Sequence, residues 1–146
     1  IDPDGPWCGC GNRCCMEAYF RADQVAAECG TRDPREAIEK ARDGDQQAID
    51  GLARIGRYLG IGISNAVTIV TPDLVILGGG WASAGDLIIE PIKVEMRRRV
   101  LIGSGDHTRV VQAELGTWAG AIGAAVHGAE QAARAGRIEL PPETSA

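Results

Sequence analysis

The feature that most constrains this chain is a helical pattern studded with glycine. From Asp45 to Pro72, Ile49, Leu52, Ala53, Gly56, Leu59, Gly60, Ile63, Ala66, Val67 and Val70 keep the i, i+3, i+4 spacing of a helix with one apolar face. Gly51, Gly56, Gly60 and Gly62 fall inside it, and each disfavours a helix by about 1 kcal/mol relative to alanine. Only close packing on another backbone offsets such a penalty. The pattern therefore predicts a central, buried helix. Composition agrees, since twenty glycines stand against three tryptophans, two tyrosines and one phenylalanine.

After Pro72 the period changes. Leu74 to Leu77 is an unbroken, partly β-branched apolar run, which predicts a strand buried on both faces of a parallel sheet. Gly78, Gly79 and Gly80 end it. A helix from about Asp86 to Val100 follows, with Pro91 placed to split it in two. A second strand is predicted near Arg109 to Ala113, then a small-residue helix from Thr117 to Ala135, then a disordered tail over 138–146. Upstream, Cys15, Tyr19, Ala22, Val25, Ala26 and Cys29 recur at helical spacing until Gly30, enough for one or two short helices. Asp33 as cap, Pro34 at the first helical position and Glu36 completing a capping box open a further helix that ends at Gly44, short and solvent-facing.

The order is an α/β alternation with two strands. An open parallel sheet usually needs more, so the expectation is an incomplete sheet, completed by upstream strands or by a second copy of the chain. The opening "IDPDGP" is turn chemistry with no apolar run before it. It reads as the inside of a longer chain.

A net charge of -5 argues against a nucleic-acid surface on this segment. Arg97, Arg98 and Arg99 sit in the last turn of a predicted helix, where cations complement the dipole, and Trp7, Trp81 and Trp118 are too scattered for a stacking platform. No apolar run reaches about 18 residues and no charged-then-apolar leader opens the chain, so a cytoplasmic protein without a membrane contact is expected.

Chemistry concentrates in "PWCGCGNRCCMEAYF", residues 6–20. Cys8 and Cys10 are one residue apart, Gly11 lets the backbone turn, and Cys14 and Cys15 return, so three thiolates can converge on one cation, with zinc the best match. Disulfides and unliganded thiols are the alternatives; an odd count of five cysteines weighs against full pairing. The spacing does not identify a fourth ligand: His107 and His127 are distant, and Cys14, Asp2, Asp4 or water remain candidates. Glu17 stands in the first turn of a predicted helix, where a carboxylate complements the dipole. Gly78, Gly79 and Gly80 either turn the chain or open a path for an anion, and no Walker lysine accompanies them.

"DGPWCGCGNRCCMEAY" resembles the zinc motif CxCGxxGCxE of the ROK family, named for repressors, open reading frames and sugar kinases. "LGIGISNAVTIVTPDLVILGGG", "AGDLIIEPIKVEMRRRV" and "LGTWAGAIGAAVHG" resemble, in order, that family's long helix and glycine loop, its next helix and its final helix. The resemblance covers nearly the whole chain. It implies that residues 1–137 are the C-terminal part of an actin-like ATPase (ribonuclease H-like) domain, with a zinc loop over 5–17 at its N-terminal end. It implies Cys8, Cys10 and Cys15 as ligands of a structural zinc ion, the fourth being a histidine of an ExGH motif that would precede Ile1. Cys14 stands where the family has glycine. It further implies Glu17 as a contact to the hydroxyls of a hexose, and Gly78, Gly79 and Gly80 as part of an ATP site on the adenosine side.

Two functions are compatible with that resemblance. One is the C-terminal fragment of an ATP- and Mg2+-dependent, glucokinase-like hexose kinase, inactive alone because the catalytic aspartate lies upstream; Asp73 and Asp86 flank the nucleotide side and are not credible bases. The other is the sugar-sensing domain of a ROK transcriptional repressor whose DNA-binding helices lie upstream. A homo-oligomer is expected in either case.

Overall fold

A computed structural model describes residues 2–13, 15–100 and 107–139. The elements run α1 (Met16–Phe20), α2 (Ala22–Cys29), α3 (Pro34–Arg42), α4 (Gln46–Val70), β1 (Leu74–Leu77), a 3-10 turn (Gly79–Ala84), α5 (Asp86–Arg99), β2 (Arg109–Gln112), a second 3-10 turn (Gly116–Trp118) and α6 (Ala119–Arg134).

α4 is the spine. Asp45 caps it by accepting from the Ala48 amide at 2.9 Å, and Thr71, in the left-handed region at φ 49, stops it just before Pro72. Its glycines do what the sequence required of them. A Cβ on Gly56 would stand 2.7 Å from Pro91 Cβ and 3.0 Å from the Ile88 carbonyl, and one on Gly60 would stand 2.7 Å from Glu95 Cβ. Both lie against α5. Gly51 accommodates α2 in the same way, at 2.6 Å from Cys29 Sγ and 2.7 Å from the Glu28 carbonyl. Leu52, Ile55 and Val67 of α4 thereby meet Ile88 and Ile92 of α5 and Val25 and Cys29 of α2 in one buried cluster.

Pro91 does not split α5, which runs unbroken from Asp86 to Arg99. Its ring packs on the bare backbone at Gly56, so the lost amide bond is offset by a close helix crossing. α3 is likewise less exposed than its sequence suggested: Ala37, Ile38 and Ala41 are buried against the rest of the helical layer. Asp33 caps it as expected, accepting from the Arg35 and Glu36 amides, whereas Glu36 reaches past the cap to the Arg32 amide and guanidinium, both at 2.9 Å.

β1 and β2 pair in parallel, Leu74 opposite Arg109 through Leu77 opposite Gln112, with α5 as the crossover. The expected burial on both faces is not found. Ile76 is 60% exposed, and β1 alternates exposed and half-buried residues because the chain packs only one of its faces. Among the described residues the sheet has these two strands. α6 has no buried residue, and Ile122 and Val126 stand in solvent.

Candidate functional site

The cysteine segment folds back as a short hairpin. Trp7 bridges Arg13 in antiparallel fashion, the Cys8 amide donates to the Asn12 carbonyl at 2.8 Å, and Gly11 makes the turn at φ 87. The Arg13 guanidinium lies over the Trp7 ring, 4.7 Å from its centre. Gly5 approaches the Tyr19 hydroxyl too closely for any side chain, and the Tyr19 ring stacks on Tyr58 of α4 at 4.2 Å between centres. The hairpin is thus seated on the spine.

This arrangement brings Cys8, Cys10 and Cys15 together, with all three sulfurs within 4.8 Å of one another. Cys10 and Cys15 share a thiol hydrogen bond at 3.5 Å. Three sulfurs bound tetrahedrally at about 2.3 Å from a zinc ion would stand about 3.8 Å apart, so the donor set fits a metal with only small side-chain rotations. The Cys15 thiol is pushed up to about 11, first by its hydrogen bond to the Cys10 sulfur and then by desolvation. Cys10 is lowered, first by the Asn12 backbone amide and then by Cys15. Among the described residues no fourth Cys, His, Asp or Glu donor joins the trio; Asp2 instead accepts from the Asp4 amide. Cys14 lies outside the described residues. Cys29, the remaining thiol, is buried against Gly51, and desolvation raises it.

Glu17 projects from the first turn of α1, and its Oε2 accepts a hydrogen bond from the Cys8 thiol at 3.6 Å. The carboxylate is therefore a direct neighbour of the thiol trio, a proximity that follows from α1 beginning immediately after Cys15.

Gly79 and Gly80 line a separate cleft of about 820 Å³ together with residues of α3. That volume is in the range of small-molecule sites. Gly79 adopts φ 71, and a Cβ on Gly79 or Gly80 would meet nothing within 4 Å, so these positions present bare backbone to open space. Gly78 does not line the cleft; its nearest neighbour would be the Ala113 methyl at 3.7 Å. The far wall carries Pro34, Arg35, Ile38, Glu39 and Arg42, and Phe20 lies at its edge. None of these α3 residues is among the site residues expected from the sequence. Pro34 and Ile38, and beside them Arg35 and Glu39, repeat at i, i+4, an amphipathic stripe that was legible but lacked any sign of what it faced.

Fold and site together define a metal-capable thiol hairpin on a helical α/β scaffold with a glycine-walled cleft. The chain matches the ROK family over residues 1–130, and it belongs to that family. It is 32% identical to a glucokinase of Streptomyces coelicolor, over 84% of this chain and 46% of that protein. It is 29% identical to a xylose repressor of Bacillus spizizenii, over 84% of this chain and 33% of the repressor. A ROK family glucokinase from Streptomyces griseus, solved in complex with glucose and AMPPNP, superposes with a TM-score of 0.75 at 29% identity, over 87% of this chain and 48% of that one. The fold is accordingly a helical α/β portion of the actin-like ATPase architecture of ROK sugar kinases, and the chain spans less than half the length of these relatives. No helix among the described residues is long and apolar enough to cross a membrane.

Proposed function

We propose that the protein containing this chain is an ATP-dependent hexose kinase, to which residues 1–137 contribute the metal brace, one sugar contact and one wall of the nucleotide cleft. The observation that carries this reading is the cleft itself: about 820 Å³ of space bounded by bare backbone at Gly79 and Gly80. A phosphoryl-transfer enzyme needs such a seat, because its rate comes from holding nucleotide, metal and acceptor in line. Gly78 extends the glycine loop from β1 toward that seat.

Zinc suits the three thiols, and when bound it would tie the two arms of the hairpin together. Cys8, Cys10 and Cys15 would hold it, with a fourth donor from outside the described residues. A metal takes Cys8 as thiolate. The hydrogen bond from the Cys8 thiol to Glu17 would then be lost, and the carboxylate would be available to accept from sugar hydroxyls. The open faces of β1 and α6 are, on this reading, covered by the further half that the relatives possess, and a homo-oligomer would form from the whole protein rather than through these faces.

The 29% identity to a xylose repressor supports a second reading, a sugar-sensing domain without phosphoryl transfer. A coupled assay of the whole protein with ATP, Mg2+ and a panel of hexoses separates the two. Sugar-dependent ADP release is the expected result; its absence together with sugar-sensitive DNA binding would establish the repressor instead. This chain alone should read background, since the catalytic aspartate expected from the family resemblance would lie upstream of Ile1.

A further inference from the structure

We propose that the groove between the last two turns of α5 and the start of β2 is a phosphoryl-anion site, in which Arg97 and Arg109 grip a phosphate group, free or carried by a small metabolite, while Lys93 adds charge. The inference is independent of the kinase and repressor readings. This groove and the glycine cleft lie toward opposite ends of β2: Gln112 lines the cleft, whereas Thr108 and Arg109 line the groove. The groove holds about 460 Å³, enough for a phosphate with a small organic body.

Its chemistry is one-sided. Lys93, Arg97 and Arg109 line it and, among the described residues, no carboxylate does, in a chain whose net charge is -5. Lys93 and Arg97 are one turn apart on α5, and Arg109 comes from another element, so three like charges converge. That convergence is unfavourable until an anion joins it. Lys93 is partly neutralised by Glu90 at 2.8 Å, but Arg97 and Arg109 have no ion pair among the described residues. The backbone beneath Arg109 is fixed: its amide donates to the Asp73 carbonyl at 2.9 Å, and the neighbouring Thr108 hydroxyl donates to the Pro72 carbonyl at 2.6 Å.

The arginine run at the end of α5 is also divided. Arg98 and Arg99 reach the buried Glu95, at 3.7 and 2.6 Å, and so serve the α4–α5 crossing. Arg97 does not join them. A role with the helix dipole needs no groove, yet Arg97 lines one together with an arginine from a different element. The groove has an apolar floor, since Met96 and Val110 are buried. Guanidinium groups bind phosphate through paired, charge-assisted N–H···O bonds, and a floor that excludes water from one side strengthens them.

The test is calorimetry on the whole protein, titrated with glycerol 3-phosphate and separately with inorganic phosphate, for the wild type, Arg97→Ala, Arg109→Ala and Arg98→Ala. All three side chains are exposed, so each variant should fold as the wild type does. The wild type should show saturable binding that Arg97→Ala and Arg109→Ala each weaken by at least about tenfold, as the loss of a charge-assisted hydrogen bond implies. Arg98→Ala should leave it unchanged. Equal affinity for the two probes would support a seat for free phosphate, and tighter glycerol 3-phosphate a seat for a phosphorylated metabolite. A wild type that binds neither probe would overturn the proposal. So would binding that survives unchanged in Arg97→Ala or Arg109→Ala, because the anion would then sit elsewhere.

Discussion

The two ends of α4 lie in unlike surroundings. Its first two-thirds cross α2 and α5 at glycines so close that no Cβ fits, and Leu52, Ile55 and Leu59 are buried there by the rest of the chain. Its last turn exposes Ile69 at 83% and Val70 at 70%, and the strand that follows exposes Ile76. Both regions are equally apolar in sequence. What differs is where their partners lie. α2 and α5 are the near neighbours of α4 along the chain, so the helical layer closes on itself, whereas a parallel strand is flanked by elements distant in sequence. Apolar residues alone do not make a core; they also need a surface to meet.

That contrast can be broken from either side. The largest effect is expected at Ile76. In this chain alone Ile76→Ala should change stability by less than about 0.5 kcal/mol, because the side chain is already in water. In the whole protein it should cost about 2–5 kcal/mol if β1 is covered there. Denaturant unfolding of both forms gives the comparison directly, and equal small values would mean that the face stays open. Sedimentation of the chain alone adds a check, since covering by a second copy would show as concentration-dependent association.

Gly51→Ala comes next. Its Cβ would meet the Glu28 carbonyl at 2.7 Å and Cys29 Cα at 2.8 Å, backbone atoms that cannot rotate away, so a loss of about 3 kcal/mol is expected by thermal or urea unfolding. Gly62→Ala should behave oppositely. Its Cβ would meet only the flexible Met16 thioether, and the gain in helix propensity, up to about 1 kcal/mol, should survive.

Between these lies Glu95, a carboxylate with its side chain 3% exposed, held by Arg99 at 2.6 Å and flanked by Arg57 and Arg98. Its folded-state pKa is depressed, chiefly by the Arg99 hydrogen bond, so it stabilises the α4–α5 crossing at pH values above the ordinary carboxylate range. That contribution is lost as pH falls through the depressed value. Glu95→Gln should cost about 1.5–3 kcal/mol near pH 7 and progressively less in acid, which melting curves from pH 7 down to 3 would reveal as converging Tm values.

Much of this was readable beforehand, for reasons that the same contrast explains. α4, the capped start of α3, both strands and the convergence of Cys8, Cys10 and Cys15 depend on local periodicity or on residues a few positions apart. Three things depended on tertiary partners and were not readable. Pro91 stays helical because Gly56 receives it, β1 is half-bare because nothing here covers it, and α3 walls a cleft because Arg42 reaches Ser83 across the fold. The contact between Glu17 and Cys8 is local by comparison, since α1 begins directly after Cys15.

That contact is also where the division of labour in the site is most exposed to test. The cysteines are assigned to the metal and Glu17 to the sugar, although Glu17 now touches a metal-site thiol. Glucose titration calorimetry on the whole protein with Glu17→Gln, coupled to elemental analysis of its zinc content, measures both roles at once. The expected result is sugar affinity lower by at least about tenfold, for the loss of a charge-assisted hydrogen bond, with zinc content unchanged. Zinc lost along with the carboxylate would make Glu17 the fourth ligand, and unaltered sugar affinity would return it to the helix dipole; either outcome would contradict the assignment.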